Sequence, residues 1–137
     1  MKTTGIRDQN RQASTANGFA LLLGIFMLAA GIWGLFRQEV FGVLATNNIH
    51  AIIHIALGIT GLMLSRNEHA RMYCRYVGIL LLAVGLLRLI PGIDDLVVRA
   101  LNVNFPGAVF NLIVGAIGLA ISYNTVSKMR NGSYKVA

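Results

Sequence analysis

Residues 17–36, 48–64, 76–87 and 106–123 contain no Asp, Glu, Lys or Arg, and most of their side chains are apolar. Apolar blocks of that length need either the interior of a large protein or a lipid bilayer to cover them. A chain of 137 residues has no large interior to offer. Its hydrophobic fraction of 55% and charged fraction of 12% depart from the soluble pattern, in which charged residues make up about 25%. Inside a bilayer each backbone N–H and C=O must be satisfied within its own segment, so such blocks become helices. The chain therefore reads as all-α: an integral membrane four-helix bundle with spans at about 17–36, 48–64, 71–90 and 106–123, in one domain over 17–123.

Local signals set the boundaries. Trp33 stands near the end of the first block as an interfacial anchor. That block is too long for a signal-peptide core and has no clean small-x-small site at its end, so it is expected to stay in the chain. The apolar stretch from Val40 to Ala45 is expected at the membrane interface. Asn47 or Asn48 can cap the second helix. Pro91-Gly92 stops the third, and Pro106 suits the first turn of the fourth. Residues 93–104 are amphipathic enough for a short surface helix. Residues 1–16 and 124–137 are polar and read as cytoplasmic tails.

The net charge is +7, which on its own could signal nucleic-acid binding. Its distribution points elsewhere. Lys2, Arg7, Arg11, Arg66, Arg71, Arg75, Lys128, Arg130 and Lys135 fall on one side of the predicted bundle, whereas only Arg37, Arg88 and Arg99 fall on the other. This asymmetry is the positive-inside pattern. It puts both termini inside, makes the lipid bilayer and its anionic headgroups the partner of the basic side, and leaves no role for nucleic acid. The single cysteine, Cys74, lies at a helix start and reads as a buried, inert thiol.

A stripe repeats within this frame. Asn47, His54, Gly58, Gly61 and Ser65 recur fifty-seven residues later as Asn104, Asn111, Gly115, Gly118 and Ser122. Steps of seven, four, three and four residues return to nearly the same angle of a helix, so each copy marks one face. The second and fourth spans run in the same direction. The repeat thus implies two parallel-related helical hairpins about an axis along the membrane normal. Its first halves match poorly: Leu21-Leu22-Leu23 can be laid on Leu80-Leu81-Leu82, but leucine runs match anything. Helices in lipid associate where small residues let backbones approach. Gly58, Gly61, Ser65, Gly115, Gly118 and Ser122 are therefore assigned to helix packing, together with Gly24, Gly31, Gly78 and Gly85.

The polar part of the stripe supplies the candidate site. His50 and His54 stand one turn apart on the second span, Asn111 is the counterpart of His54, and Arg88 reaches the same outer layer from the third span. Ionisable groups inside a membrane default to a functional reading. Three uses remain open for His50, His54, Arg88 and Asn111: hydrogen bonds between helices, a site for a ligand such as a pigment, haem, quinone or lipid, and an ion or proton path. Two histidines on one helix cannot clamp both faces of a haem. No carboxylate or thiolate is placed to complete a zinc site, so no metal is assigned. Arg88 can also pair with Asp94 or Asp95. Tyr73, Tyr76 and Tyr123 read as interfacial anchors, and His69 as a solvated loop residue. No nucleophile and base stand in an evident relation, and no phosphate-binding glycine fingerprint occurs, so the chain reads as no enzyme.

The run Asn48-Ile49-His50-Ala51-Ile52-Ile53-His54-Ile55-Ala56-Leu57-Gly58, with Gly61-Leu62 behind it, resembles a family of small four-helix bacterial membrane proteins catalogued as a domain of unknown function. Asn104, Asn111, Gly115 and Gly118-Leu119 look like its second copy, with Asn111 where a histidine is expected. The resemblance covers about residues 17–123. It implies the fold and a bacterial inner or thylakoid-type membrane, with photosynthetic or respiratory membranes as homes, and leaves the cofactor unknown. Small size, short loops and glycine-rich faces favour a non-enzymatic accessory or interaction subunit, as a homo-oligomer or part of a larger membrane complex. A membrane protein binding a pigment, haem, quinone or lipid is the alternative, and a small transporter or channel the third reading.

Overall fold

A computed structural model describes residues 2–66 and 68–133, with side chains described over 15–66 and 68–124. Among them five helices occur: α1 (Lys2–Phe36), α2 (Asn48–Leu64), α3 (Ala70–Leu89), α4 (Asp94–Leu101) and α5 (Phe105–Ser133). A two-residue hairpin, β1 (Glu39–Val40) and β2 (Leu44–Ala45), sits between α1 and α2. Three helical segments are long and apolar enough to cross a membrane: Thr15–Phe36, Ala70–Leu89 and Phe105–Asn124. Helix α2 has 17 residues, about 25 Å at 1.5 Å per residue, which is at the lower limit for a span. Most side-chain positions of the two basic tails lie outside the described residues.

Glycine decides how the helices meet. Helix α1 packs most extensively on α2, and α3 on α5. A methyl group placed on Gly58 would stand 2.6 Å from the Leu28 amide nitrogen, and one on Gly31 would stand 2.7 Å from the Ala51 carbonyl oxygen. Only hydrogen fits at such distances. As residue numbers rise along α1 they fall along the facing stretch of α2, so the two helices are antiparallel. In the second pair, a methyl on Gly115 would stand 2.8 Å from the Gly78 oxygen, and one on Gly85 would stand 2.9 Å from the Ala108 oxygen. The opposite sides of the helices carry exposed aliphatic residues, among them Leu22, Ile25, Ile52, Met63, Ile79, Leu86, Ile113 and Ile117. In water such a coat would be untenable. Against lipid it is the expected exterior, and the molecule is a membrane protein by the length and composition of its helices.

The two antiparallel pairs use matching residues. Between α1 and α3 the offset is fifty-four: Ala16, Ala20, Leu23 and Met27 are buried, as are Ala70, Cys74, Val77 and Leu81. Gly24 faces Gly58 and Leu62 as Gly78 faces Gly115 and Leu119. Leu23 thus corresponds to Val77, and the register that lays Leu21-Leu22-Leu23 on Leu80-Leu81-Leu82 is displaced by five residues. Between α2 and α5 the offset is fifty-seven, because the second connection holds three residues more.

Those connections are ordered. The turn after β1 has Phe41 at φ 55° and Gly42 at φ 70°, with the Val43 N–H donating to the Val40 carbonyl at 3.2 Å. Two positive φ values give a tight turn whose twist matches the hairpin. A bulky side chain rarely adopts that conformation; here the Phe41 ring rests 5.5 Å from Trp33 and 6.1 Å from Phe26. The second connection forms α4 over part of the stretch expected to be a surface helix. It ends on Asn102 in the left-handed region at φ 51°, a conformation asparagine tolerates.

Candidate functional site

The two ends of the molecule differ. One, the loop end, carries the hairpin, α4 and the starts of α2 and α5; the other carries the α2–α3 connection. All four predicted site residues belong to the loop end.

Asparagines open both helices there. Asn47, extended at φ −136°, accepts from the His50 N–H at 2.9 Å. Asn104 accepts from the Gly107 N–H at 3.0 Å. Each amide satisfies an otherwise orphaned N–H of the first turn. The other end of each amide crosses to the opposite half: Asn47 Nδ2 donates to the Ala100 carbonyl at 2.9 Å, and Asn104 Nδ2 to the Val43 carbonyl at 2.7 Å. Asn102 Nδ2 donates to the Thr46 carbonyl at 2.8 Å.

The ionisable candidates serve the same region. His50 Nδ1 stands 2.9 Å from the Leu101 carbonyl. A carbonyl only accepts, so Nδ1 carries the proton and Nε2 of the neutral ring keeps its lone pair. Arg88 Nε donates to the Val103 carbonyl at 2.7 Å, and its guanidinium lies 3.7 Å from an Asp94 carboxylate oxygen. His50 and Arg88 thus hold residues 101–103 from two sides. His54 lies beneath His50, their rings 4.3 Å apart and edge to face.

His50, His54 and Asn111 line one cavity, with Phe26, Ala30, Val40, Leu44, Thr46 and Phe110 among its other walls. Its volume is about 20 Å³, room for about one water molecule. The Phe26 and Phe110 rings meet at 5.1 Å and form one side. Arg88 does not line this cavity. The four residues predicted as a cluster therefore divide into a trio around a small space and an arginine that braces the neighbouring loop. Among the described residues, no group of three or more His, Cys, Asp or Glu side chains is placed to hold a metal ion.

The glycine part of the stripe is consumed by contacts inside the molecule. Ser65 and Ser122 are buried at the far ends of their rows, and Ser65 Oγ donates to the Leu62 carbonyl at 2.9 Å. Tyr73 differs from its expected place at the interface: it is 3% exposed, and its hydroxyl donates to the Leu57 carbonyl at 2.8 Å. It fills the room that Gly61 leaves, where an added methyl would stand 2.7 Å from the hydroxyl. Thr46, Asn102, Phe26 and Phe110 also belong to the site and were not singled out from the sequence. Thr46 and Asn102 sit beside the capping asparagines in the chain, which was the signal available. The two phenylalanines look like any other apolar residue of a span.

A family model described as a domain of unknown function (DUF4383) matches residues 19–124. No curated protein and no solved structure matches the chain.

Proposed function

The chain belongs to the family described as a domain of unknown function, DUF4383, and from that premise we propose that it is a non-enzymatic accessory or interaction subunit of a bacterial membrane complex. One observation carries this reading. Five polar side chains of the loop end are committed to backbone groups: Asn47, Asn102 and Asn104 bond across the two halves, and His50 and Arg88 bond the end of α4 and the residues that follow it. They serve as ties between segments, with little left over for chemistry on a substrate.

The same geometry weakens the alternative. Pigments, haems and quinones occupy sites of several hundred Å³, against the cavity of about 20 Å³ at the histidine pair. The glycine rows, being filled internally, are not the partner surface either. Partner helices would meet the outward rows instead, such as Ile49, Ile52, Ile59 and Met63 on α2.

The membrane arrangement belongs to the proposal. Helix α2 forms a fourth span beside α1, the nine basic residues of the tail end face the cytoplasm with both termini, and the matched residues of the two halves descend from one duplicated hairpin related by an axis along the membrane normal. In-membrane crosslinking followed by purification tests the role. The subunit reading predicts a defined crosslinked partner, either another protein or a second copy. Recovery of the uncrosslinked monomer alone would overturn it.

A further inference from the structure

We propose that the cavity between α2 and α5 is a binding site for one water molecule, held by His54 and Asn111 across the interface of the two halves. Asn111 is 5% exposed. No bond ties its amide to another described group, and no described polar side-chain atom is both sealed off and unpartnered. The amide therefore opens onto the free volume that Asn111 lines. His54 lines the same space, and the His50 Nε2 lone pair belongs to a third cavity-lining side chain.

The chemistry selects a small neutral guest. A cavity needs about 10–15 Å³ of this kind of volume and two to four polar partners to hold a water. This one has about 20 Å³ and four polar side chains on its wall, Thr46, His50, His54 and Asn111. A metal cation would bring charge into an apolar enclosure of phenylalanine, alanine, valine and leucine with no carboxylate or thiolate to offset it, which is the expensive case. An apolar guest would leave the amide and the imidazole without partners. A single water can donate to a His54 ring nitrogen and accept from the Asn111 Nδ2 group, satisfying both counterparts of the repeat at once.

The inference stands apart from the subunit proposal, since a lone monomer can carry the same water. The test is water-edited solid-state NMR on the full chain in lipid bilayers, with histidine ring nitrogens and asparagine Nδ2 labelled. Polarisation should pass from water to the half-buried His54 ring and to the buried Asn111 Nδ2. In Ala30→Val, which adds two methyl groups to the cavity wall and leaves every polar group in place, both transfers should be lost. Helical circular dichroism and Trp33 emission report whether that variant folds; if it does not, the wild-type transfer alone decides. Absence of transfer to both groups in the folded wild type would overturn the proposal, as would one equivalent of bound transition metal by elemental analysis.

Discussion

Asn47 and Asn104 each tie their own helix to the opposite half of the molecule: Asn47 reaches the Ala100 carbonyl and Asn104 reaches the Val43 carbonyl, and the two acceptors stand fifty-seven residues apart, as the donors do. Each amide uses its oxygen on its own helix and its nitrogen on the other half. Cap and tie are therefore separable by substitution. Asn47→Ala removes both and should lower stability by about 1–2 kcal/mol, whereas Asn47→Asp keeps the acceptor and should lose roughly half of that. The two asparagines share no partner, so the loss in the Asn47→Ala/Asn104→Ala double variant should be close to additive. Thermal unfolding in detergent micelles measures the series.

Arg88 and Asp94 should behave unequally. The bond from Arg88 to the Val103 carbonyl is short and charge-assisted, and deleting such a bond costs about 1.5–3 kcal/mol. The ion pair at 3.7 Å is partly open to solvent and contributes less than about 1 kcal/mol. Arg88→Ala should therefore destabilise clearly more than Asp94→Asn, with little change in that ranking between low and high salt. Equal losses in the two variants would show that the ion pair dominates.

The glycines separate into two classes. Gly58→Ala forces a methyl to within 2.6 Å of the Leu28 nitrogen, and rigid backbone cannot step aside as a side chain would. A loss of about 1–3 kcal/mol is expected, with partial opening of the α1–α2 contact. Gly18, inside α1, has nothing within 4 Å of such a methyl. Gly18→Ala should stabilise by about 0.5–1 kcal/mol, through helix propensity alone.

Tyr73→Phe removes one hydroxyl whose partner is the Leu57 carbonyl. The ring still fills the space beside Gly61, so a loss of about 0.5–1.5 kcal/mol is expected in the same unfolding assay. Tyr76→Phe, at an exposed ring, should be neutral.

The sequence exposed the second and fourth helices of this arrangement more clearly than the first and third. The row from Asn47 to Ser65 repeats with the same or similar residue types, because a cap and close helix contacts tolerate few substitutes. On α1 and α3 the glycines recur at an offset of fifty-four, Gly24 as Gly78 and Gly31 as Gly85, but much of the buried row repeats only in burial: Ala20 answers to Cys74, Leu23 to Val77 and Met27 to Leu81. Apolar packing accepts many shapes of similar volume, and the three-residue difference between the connections shifts the register. The histidine pair and Asn111 were legible as a cluster because helical spacing and the repeat bring them level. The destination of Arg88 was not, since its partner is the backbone carbonyl of Val103, which no residue type announces. Tyr73 misled for the opposite reason. A tyrosine near a span end usually seeks the interface, and only the gap at Gly61 draws it inward.

Native mass spectrometry of the full chain released directly from membrane vesicles tests the subunit reading most directly. The prediction is a 14.8 kDa chain held in a defined larger assembly, with no bound mass of haem, pigment or quinone size. A bare monomer, or a monomer carrying a stoichiometric small molecule of several hundred daltons, would contradict it.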